Sequence, residues 1–562
     1  MADLPIGAPS PASALYGVIG AAAVPIDLLA AFEKYEAAIL ANDLEHLDAA
    51  FAPGPDTMRG DAAGLLVGRD AISSFRSARG GVATRVIERI EHRPMGVDAA
   101  LLISVSRYVD GGTGLQTQVW ERVDGHWLIT AAHVTPRAQA FDKSVWRMVG
   151  DPLFQGAWEG PLAGLTVAVK DLFTIKGYRV GAGNPTYLES QRAESTTAPA
   201  VSDLLHGGAS LRGIARTDEF AYSVAGDNVH YGTPPNGALP GALPGGSSSG
   251  PATAVATGQA DVGLATDTAG SVRVPASYQG LWGLRTTHGL VPRQGLLPLA
   301  QSFDTVGWLT RDGDTLRRIA EWCLSYDSSE STEKVLGESD DELPWCFIVP
   351  TEALASAEPA TAEAFAEMLA ALATVDDAPL VEEVSLGDLD DYLTPFRTVQ
   401  GAEAWRNNGE WVGKNANALG AAVAERFRTA AAVTAEEESA ARQTLTPLRE
   451  RLHGVVRNAV LLLPTVPGPA PARTATGERI DALRAATLRM TTPAAVGGLP
   501  AMSVPLLTVD SDLGRAPVGV SLISREGTDL ALVRLAQRLA AALDAARAAS
   551  TSLSAVTEGD LA

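Results

Sequence analysis

The chain has few of the residues from which disulfide frameworks and metal centres are built. It contains two cysteines in 562 residues, Cys323 and Cys346, too few to cross-link a chain of this length. Its eight histidines show no ligand spacing, and neither CxxC nor HExxH occurs. We therefore expect no structural or catalytic metal.

Positive charge is also scarce. Lysine and arginine number 44 against 66 aspartates and glutamates, which leaves a net charge of −22. Nucleic acids and anionic membranes are bound through basic faces, so neither is an expected partner. The remaining composition, 46% hydrophobic and 20% charged, is ordinary for a globular protein.

Long hydrophobic runs are missing as well. No run reaches the roughly 18 apolar residues that a membrane span needs. The first basic residue is Lys34, so the N-terminal segment lacks the positively charged region with which a secretory signal begins. These features predict a cytoplasmic protein.

The first of two differently patterned regions, residues 26–136, is predicted to be a small α+β domain. "DLLAAFEKYEAAIL" has helical periodicity, and a second helix begins after the capping residue Asp43. Four runs of alternating polarity follow, the last three separated by Asp110-Gly111-Gly112 and by Asp124-Gly125, which are hairpin signals. We expect an antiparallel sheet that curls around the helices as a cone.

From about residue 150 the strands become short and continuously apolar, as in "LTVAV", "DVGLAT", "AVLLLPTV" and "PAMSVPL". Such strands are typical of a sheet buried on both faces, which predicts an α/β/α sandwich with a mixed central sheet. Residues 327–343 are predicted to be an acidic surface loop. The predicted division is an N-terminal extension (1–25), the cone domain (26–136), a connector (137–158), the α/β domain (159–546) and a flexible tail (547–562).

The connector contains Trp146 and Met148, whereas flexible linkers have few large side chains. We therefore predict a packed, helical connector. On this view the cone domain docks against the larger domain and supplies the contact of a homodimer.

Three segments of the larger domain carry residues suited to catalysis. "GLTVAVKDLF" ends an apolar strand with Lys170, "PGGSSSGPATAVATG" is a Gly/Ser-rich loop that opens a helix, and "TDTAGSVRVPAS" has Ser271 in a turn before a helix. Each alone has an ordinary explanation, as a solvated lysine, a linker or a helix start. In this order, and with flanks such as "GGASLRGIARTDEFAYS" and "LPLAQSFDTVGWLTRD", they resemble the amidase signature family of serine hydrolases, and among them indole-3-acetamide-hydrolase-type amidases.

The resemblance covers most of residues 159–546 and implies roles for individual residues. Ser271 corresponds to the acylated nucleophile, Ser247 to a bridging serine that follows a cis peptide, and Lys170 to the general base. It implies a cofactor-independent amidase that cleaves a carboxamide C–N bond of a small-molecule substrate. Which amide is the substrate does not follow from the sequence.

The physical chemistry of these residue types is consistent with those roles. A serine hydroxyl is a weak nucleophile until a neighbouring base takes its proton. A lysine can be that base only when neutral, and burial lowers its pKa from about 10.4. Backbone N–H groups of the turn, from Thr268, Ala269, Gly270 and Ser271, are candidates for the oxyanion hole.

Two further features of the same turn are an unusual alanine and a pair of opposite charges. Ala269 stands where glycine is usual in the family, and alanine would be strained there if the position requires positive φ. Asp267 and Arg273 flank the turn, and we expect them to form a salt bridge that braces it rather than to act in catalysis.

Other interpretations of these residues are weaker. "GSSSG" (246–250) also matches the G-x-S-x-G nucleophile elbow with Ser248 at its centre, but prolines and glycines precede it where that motif needs a strand. "STEK" (331–334) matches S-x-x-K but lies in the acidic loop. A non-catalytic interaction module is the remaining alternative, and it is disfavoured because all three triad residues are present.

The first domain resembles the AtzH-like family, on "FEKYEAAILANDLEHLDAAFAP", "GRDAISSFRSAR" and "QTQVWERVDGHWLITAAHV". Tyr35 and Arg59 align with polar residues that line the cone in this family, some members of which hydrolyse small carboxylated ureas. One interpretation is therefore a second pocket at Tyr35 and Arg59 with that activity. The alternative is that Tyr35 packs at the mouth of the cone and Arg59 pairs with an acid. In the larger domain, Trp405 and Trp411 are predicted either to line an aromatic-accepting cleft or to be core residues.

Overall fold

The structure is a computed structural model that describes residues 17–18, 24–61, 64–77, 85–108, 113–135, 141–325, 342–475 and 478–559. The chain forms two compact units, Met1–Ala140 and Phe141–Ala562. Each unit has its own sheet and its own hydrophobic core.

Where the structure describes it, the first unit combines three helices with a seven-stranded sheet in the order β1-β4-β5-β6-β7-β2-β3. Its elements are β1 (Gly17–Val18), α1 (Ile26–Ala41), α2 (Leu44–Ala49), β2 (Met58–Asp61), β3 (Gly64–Val67), α3 (Arg69–Ser77), β4 (Arg85–Pro94), β5 (Ala99–Tyr108), β6 (Thr113–Val123) and β7 (His126–Thr135).

The predicted antiparallel meander is confirmed in β4 to β7. Asp124 and Gly125 form the two-residue turn between β6 and β7 with φ of 53° and 81°, as that hairpin signal requires. Apolar residues of α1, among them Phe32 and Ile39, pack with sheet residues such as Ile129 in one core. The other predicted turn, at 110–112, lies outside the described residues.

The second unit is built on an eleven-stranded mixed sheet in the order β15-β14-β16-β18-β17-β12-β13-β11-β9-β10-β8. Its strands are β8 (Trp146–Phe154), β9 (Thr166–Lys170), β10 (Ser210–Ala215), β11 (Val262–Asp267), β12 (Trp282–Arg285), β13 (Thr305–Thr310), β14 (Cys346–Pro350), β15 (Leu380–Val384), β16 (Val460–Pro464), β17 (Ala501–Ser511) and β18 (Gly514–Ile523). Its helices are α4 (Pro185–Ser190), α5 (Pro199–His206), α6 (Ser249–Ala256), α7 (Arg273–Gln279), α8 (Gly313–Ser325), α9 (Thr351–Ala355), α10 (Pro359–Leu372), α11 (Asp390–Lys414), α12 (Ala421–Ala431), α13 (Ala435–Val455), α14 (Glu478–Gly497) and α15 (Asp529–Gly559).

The central strands of this sheet are covered on both faces. Every residue of β11, β13 and β16 is buried, although successive side chains of a strand point to opposite faces. The predicted α/β sandwich with a mixed sheet is thereby confirmed. Strands β9 and β11 run parallel and side by side, so their carboxyl ends lie next to each other at the same end of the strands.

The helical connector predicted for residues 137–158 is wrong where the structure describes it. Trp146–Phe154 form β8, which pairs antiparallel with β10 and ends the large sheet. Trp146 is 1% exposed. The apolar residues that indicated packing therefore belong to a strand at the sheet edge, where tertiary pairing outweighs local propensity.

Three other expectations concern the C-terminal tail, the acidic loop and the N-terminal extension. The tail predicted from residue 547 continues α15 as far as Gly559, consistent with its many alanines. Most of the acidic loop, with "STEK", and most of the N-terminal extension lie outside the described residues. Within the described ranges, no helix combines the length and apolarity that a membrane span requires.

Candidate active site

Lys170 is the last residue of β9 and lies beside the end of β11. Its side chain is completely buried. The Nζ atom is 2.9 Å from Ser247 Oγ, 2.8 Å from Ser248 Oγ and 2.8 Å from Thr266 Oγ1. Three hydroxyls thus surround one amine. The contact with Thr266 was not predicted, because this residue lies inside an apolar strand.

Burial is the main cause of an altered pKa at this lysine. It lowers the pKa of Lys170 to about 7, although nearby Asp218, Asp267 and Asp304 oppose the shift. A substantial neutral fraction of the amine therefore exists near pH 7. The arrangement provides a base with the proton affinity that general-base catalysis needs at neutral pH.

Ser247 lies in the loop that precedes α6, after a cis Gly246–Ser247 peptide bond. The Thr217 hydroxyl and the Asp218 N–H both donate to its carbonyl oxygen, at 2.9 and 3.1 Å. A Cβ atom at residue 246 would stand 2.1 Å from the Asp218 carboxylate, so only glycine fits that close approach. The residues before Ser248 form no strand, which excludes the nucleophile-elbow interpretation.

Ser271 lies in the turn between β11 and α7 and lines a cavity of about 520 Å³. Its carbonyl oxygen accepts a hydrogen bond from the Ser248 N–H at 3.3 Å, which ties the two loops together. Among the described residues, no hydrogen bond joins the hydroxyls of Ser247 and Ser271. The structure thus brings Lys170 and Ser247 into direct contact and exposes Ser271 to the cavity.

The predicted oxyanion donors divide into two groups. The Gly270 N–H donates to Asp267 Oδ1 at 2.8 Å, so the prediction that Gly270 supplies an oxyanion donor is wrong. Thr268, Ala269 and Ser271 line the cavity. The Asp267 carboxylate lies against the turn that follows it, and a sequence pattern does not reveal from which N–H it accepts a hydrogen bond.

The substitution of alanine at position 269 causes no backbone strain. Gly270 takes the positive φ of the turn, +121°, while Ala269 is absent from the non-glycine residues with positive φ in the described part of the chain. The Ala269 carbonyl accepts from the Thr491 hydroxyl at 2.6 Å. Helix α14 therefore supports the turn through this hydrogen bond.

The expected salt bridge between Asp267 and Arg273 is confirmed, and a second arginine joins it. Arg273 Nη2 and Arg285 Nη1 lie 2.9 and 3.1 Å from Asp267 Oδ1, and all three side chains are buried. Burial by itself would raise the pKa of Asp267, but the two guanidinium groups hold it well below its usual range. The ion network braces the turn that carries Ser271.

Two buried aspartates near the site were not singled out from the sequence. Asp218 accepts from the Gly226 N–H and the Ser249 hydroxyl, and burial raises its pKa to about 6. Asp304 accepts from the Thr268 hydroxyl at 2.6 Å, and burial likewise raises its pKa to about 6. Both lie in segments that carried the family resemblance, but nothing in their spacing identified them.

The two tryptophans of α11 are half-buried and pack against a hydrophobic cluster. Trp405 and Trp411 pack in a hydrophobic cluster with Phe220 and Phe427, and the Trp411 ring centroid is 5.2 Å from that of Tyr187. Neither lines the cavity. An earlier stretch of the same helix does so instead.

In the first unit, Tyr35 and Arg59 are buried but have different partners. The Tyr35 hydroxyl accepts from Arg76 Nη2 at 3.1 Å, and its ring packs on Phe51 and Trp120. Arg59 Nη1 lies 2.7 Å from Asp61 Oδ2. These contacts favour the structural alternative over a shared ligand pocket.

Comparison with known proteins agrees with both resemblances. Residues 149–533 match the family model Amidase, and residues 18–139 match the model AtzH-like. "Amidase 1" of Arabidopsis thaliana is 36% identical over 401 residues, which cover 68% of this chain and 93% of that protein. "Outer envelope protein 64, chloroplastic" of the same plant is 29% identical, covering 67% of this chain and 66% of that protein.

A solved structure described as "Crystal structure of amidase" superposes with a TM-score of 0.60 at 26% identity, covering 70% of this chain and 91% of that one. Neither the matches nor the fold test the specific likeness to indole-3-acetamide hydrolases, which stays a prediction. The match to the family model, the superposition on a solved amidase and the buried lysine at the carboxyl end of β9 lead to one conclusion. The chain belongs to the Amidase family and is a hydrolase that acts on amide C–N bonds.

Proposed function

We propose that this chain hydrolyses a small-molecule carboxamide through an acyl-enzyme on Ser271, with Ser247 as proton relay and Lys170 as general base. The observation that carries the proposal is the contact of Lys170 Nζ with Ser247 Oγ at 2.9 Å, in a site where burial lowers the pKa of the lysine to about 7. A neutral amine there has a lone pair to accept a proton from Ser247.

The proposed reaction has two halves. Ser271 Oγ attacks the amide carbon and its proton passes to Ser247, whose own proton passes to Lys170. The C–N bond then breaks, the leaving nitrogen takes the proton back through Ser247, and ammonia or an amine departs. Water attacks the resulting ester by the same relay, which releases a carboxylic acid and restores Ser271.

The negative charge on the attacked carbonyl oxygen needs donors that are already in position. Backbone N–H groups of Thr268, Ala269 and Ser271 are the proposed donors. The Asp267 ion network and the Thr491 hydrogen bond support their geometry. Removal of a single oxyanion donor in other hydrolases costs about 10²–10³ in kcat.

Alanine substitutions of the triad test the proposal. Ser271→Ala is expected to abolish amide hydrolysis, and Ser247→Ala and Lys170→Ala are expected to lower kcat by several orders of magnitude. The losses should not add in double variants, because the three residues act as one relay. Ammonia release from a panel of aryl-acetamides, aliphatic amides, carbamates and carboxylated ureas measures this.

Ser249→Ala is a suitable control, since that serine is buried beside the triad but contacts Asp218 instead of Lys170. Full activity of Ser271→Ala would contradict the proposal. A covalent adduct of a sulfonyl fluoride located on Ser271 by peptide mass spectrometry would support it independently of the substrate.

A homodimer and a cytoplasmic location are further parts of the proposal. The first unit is the expected dimer contact, and it has a structural rather than a catalytic role here because Tyr35 and Arg59 are engaged with Arg76 and Asp61. Sedimentation of the full chain and fractionation of its source cells test the two statements.

A further inference from the structure

Three arginines from three helices line the cavity that contains Ser271. Arg397 is on α11, Arg426 on α12 and Arg484 on α14, and we call them the arginine cluster. They come from positions far apart in the chain, so no local sequence pattern groups them. Their convergence is the least expected feature of this cavity.

The arginine cluster has no ion-pair partner in the part of the chain that the structure describes. Among the described residues, none of its three members forms an ion pair within 4 Å. Arg426 donates to the Tyr222 carbonyl at 2.6 Å, while Arg484 Nε is buried without a hydrogen-bond partner in the described chain. An unpaired buried guanidinium nitrogen is costly unless a ligand supplies its acceptor.

Nearby acids act on the cluster through their charge without pairing with it: Asp218 and Asp227 act on Arg426, and Asp227 and Asp481 act on Arg484. Glu425 and Asp481 line the cavity but are exposed, and Glu425 pairs with Arg428. Burial and the positive charges of Arg426 and Arg397 lower the pKa of Arg484 to about 10, although Asp227 and Asp481 oppose the shift. The positive charges repel one another, and an anion between them would relieve that repulsion.

We propose, on the basis of the amidase function proposed above, that the substrate carries a carboxylate and that the arginine cluster binds it while Ser271 attacks the amide. Guanidinium groups bind carboxylates with two parallel hydrogen bonds, which fixes orientation as well as charge. The substrate class is therefore the amic acids, in which one chain bears an amide at one end and a carboxylate at the other.

A matched ligand series tests the inference. The amic acids succinamate, glutaramate and adipamate are compared with succinamide, glutaramide and adipamide, which replace the carboxylate with a neutral group of the same shape. For each compound, ammonia release and protection of Ser271 from a neutral sulfonyl fluoride are measured. We expect at least one amic acid to be favoured more than tenfold over its diamide, with a preference that weakens as salt is added.

Charge-removing variants locate the effect. Arg484→Gln should reduce the preference at least tenfold. Because Arg484 is partly buried and its replacement could disturb the fold, the exposed Arg397 gives a second variant, Arg397→Gln, with the same expected effect. Lys414→Gln is the control, since it removes an exposed charge from α11 outside the cavity, and it should keep the preference. Labelling of Ser271 by the sulfonyl fluoride shows that each variant retains its site.

The inference would be overturned if the unmodified chain hydrolysed and bound amic acids and diamides equally well. It would also be overturned if both arginine variants kept the preference for amic acids. Stronger protection by a phosphonate of the same length would overturn the assignment to carboxylates. If Ser271 resists labelling and no amide is hydrolysed, the proposed function itself fails. If Ser271 is labelled or amides are hydrolysed, but amic acids are not preferred over diamides, only the carboxylate inference is contradicted and the proposed function stands.

Discussion

Lys170 has its Nζ atom among the hydroxyl oxygens of Ser247, Ser248 and Thr266, at 2.8 to 2.9 Å. Hydroxyl oxygens stabilise an ammonium by accepting its hydrogen bonds, while burial destabilises it. Burial dominates, and the pKa falls to about 7. The side chain is thereby divided between its two protonation states at neutral pH.

The rate of amide hydrolysis should follow this ionisation. Because only the neutral amine can accept a proton, kcat/KM is expected to rise about tenfold per pH unit below pH 7 and to level off above it. Thr266→Val removes one acceptor that stabilises the ammonium, so the pKa should fall further and the midpoint should move to lower pH. A pH–rate profile of both proteins measures the shift.

Ser248→Ala should also lower the midpoint, with a smaller loss of rate than Ser247→Ala, because Ser248 contacts the lysine without being assigned to the relay. A midpoint that stays in place in both Thr266→Val and Ser248→Ala would contradict the role of the hydroxyl shell. Indifference of the rate to pH between 5 and 9 would contradict the lysine base.

At the scale of elements, the turn between β11 and α7 depends on a buried network of one carboxylate and two guanidinium groups. Asp267 ends β11, Arg273 begins α7 and Arg285 ends β12. Asp267 also accepts from the N–H groups of Gly270 and Val272. One side chain thus fixes the exit of a strand, the shape of the turn and the start of a helix.

Asp267→Asn should therefore destabilise the fold. It leaves Arg273 and Arg285 buried without their counter-ion, and the loss of one partner of a buried pair costs about 3–5 kcal/mol. Urea unfolding followed by tryptophan fluorescence measures this. The exposed pair of Lys414 and Glu410 gives the control, since Glu410→Gln should leave the midpoint nearly unchanged.

The same network predicts a pH dependence of stability. The pKa of Asp267 is lowered in the folded chain, so its stabilisation is present above the unfolded value of about 4 and is lost as the pH falls through the folded value. The Asp267→Asn variant should lack that component. Equal acid sensitivity in the two proteins would contradict this account.

At the scale of the whole molecule, the two units meet in sequence at Ala140, and β8 belongs to the second. β8 covers the edge of β10 and contributes Arg147, whose Nε lies 3.1 Å from Asp171 Oδ1. Asp171 is buried next to Lys170 in the chain, and burial raises its pKa to about 6. The edge strand is thus connected to the site.

Two truncations follow from this division. A fragment 141–562 should fold and retain amide hydrolysis, because it keeps β8. A fragment 159–562 should be poorly soluble or inactive, because it exposes the edge of β10 and removes Arg147, which forms an ion pair with Asp171. Circular dichroism and ammonia release compare the two, and equal behaviour would contradict a structural role for β8.

The fragment 141–562 also tests the proposed homodimer. If the first unit supplies the contact, analytical ultracentrifugation should find a dimer for the full chain and a monomer for the fragment. A soluble fragment with the oligomeric state of the full chain would contradict that contact. The isolated unit 1–140 should not hydrolyse a carboxylated urea if its role is structural.

Local order and hydrophobic pattern determined much of this protein from the sequence alone. Alternating and continuously apolar runs identified the meander and the buried sheet, because side-chain periodicity directly reflects which faces are covered. The order of Lys170, Ser247 and Ser271 with their flanks identified the family. The salt bridge of Asp267 with Arg273 was also predictable, since its partners are six residues apart.

Contacts between distant segments were decided only by the tertiary structure. β8 is a strand because β10 offers it an edge, although its apolar residues also suit a packed connector. The Gly270 N–H is paired because a carboxylate folds back on its own turn. The arginine cluster exists only because three helices, at residues 397, 426 and 484, converge on one cavity, and no local pattern in a sequence records that convergence.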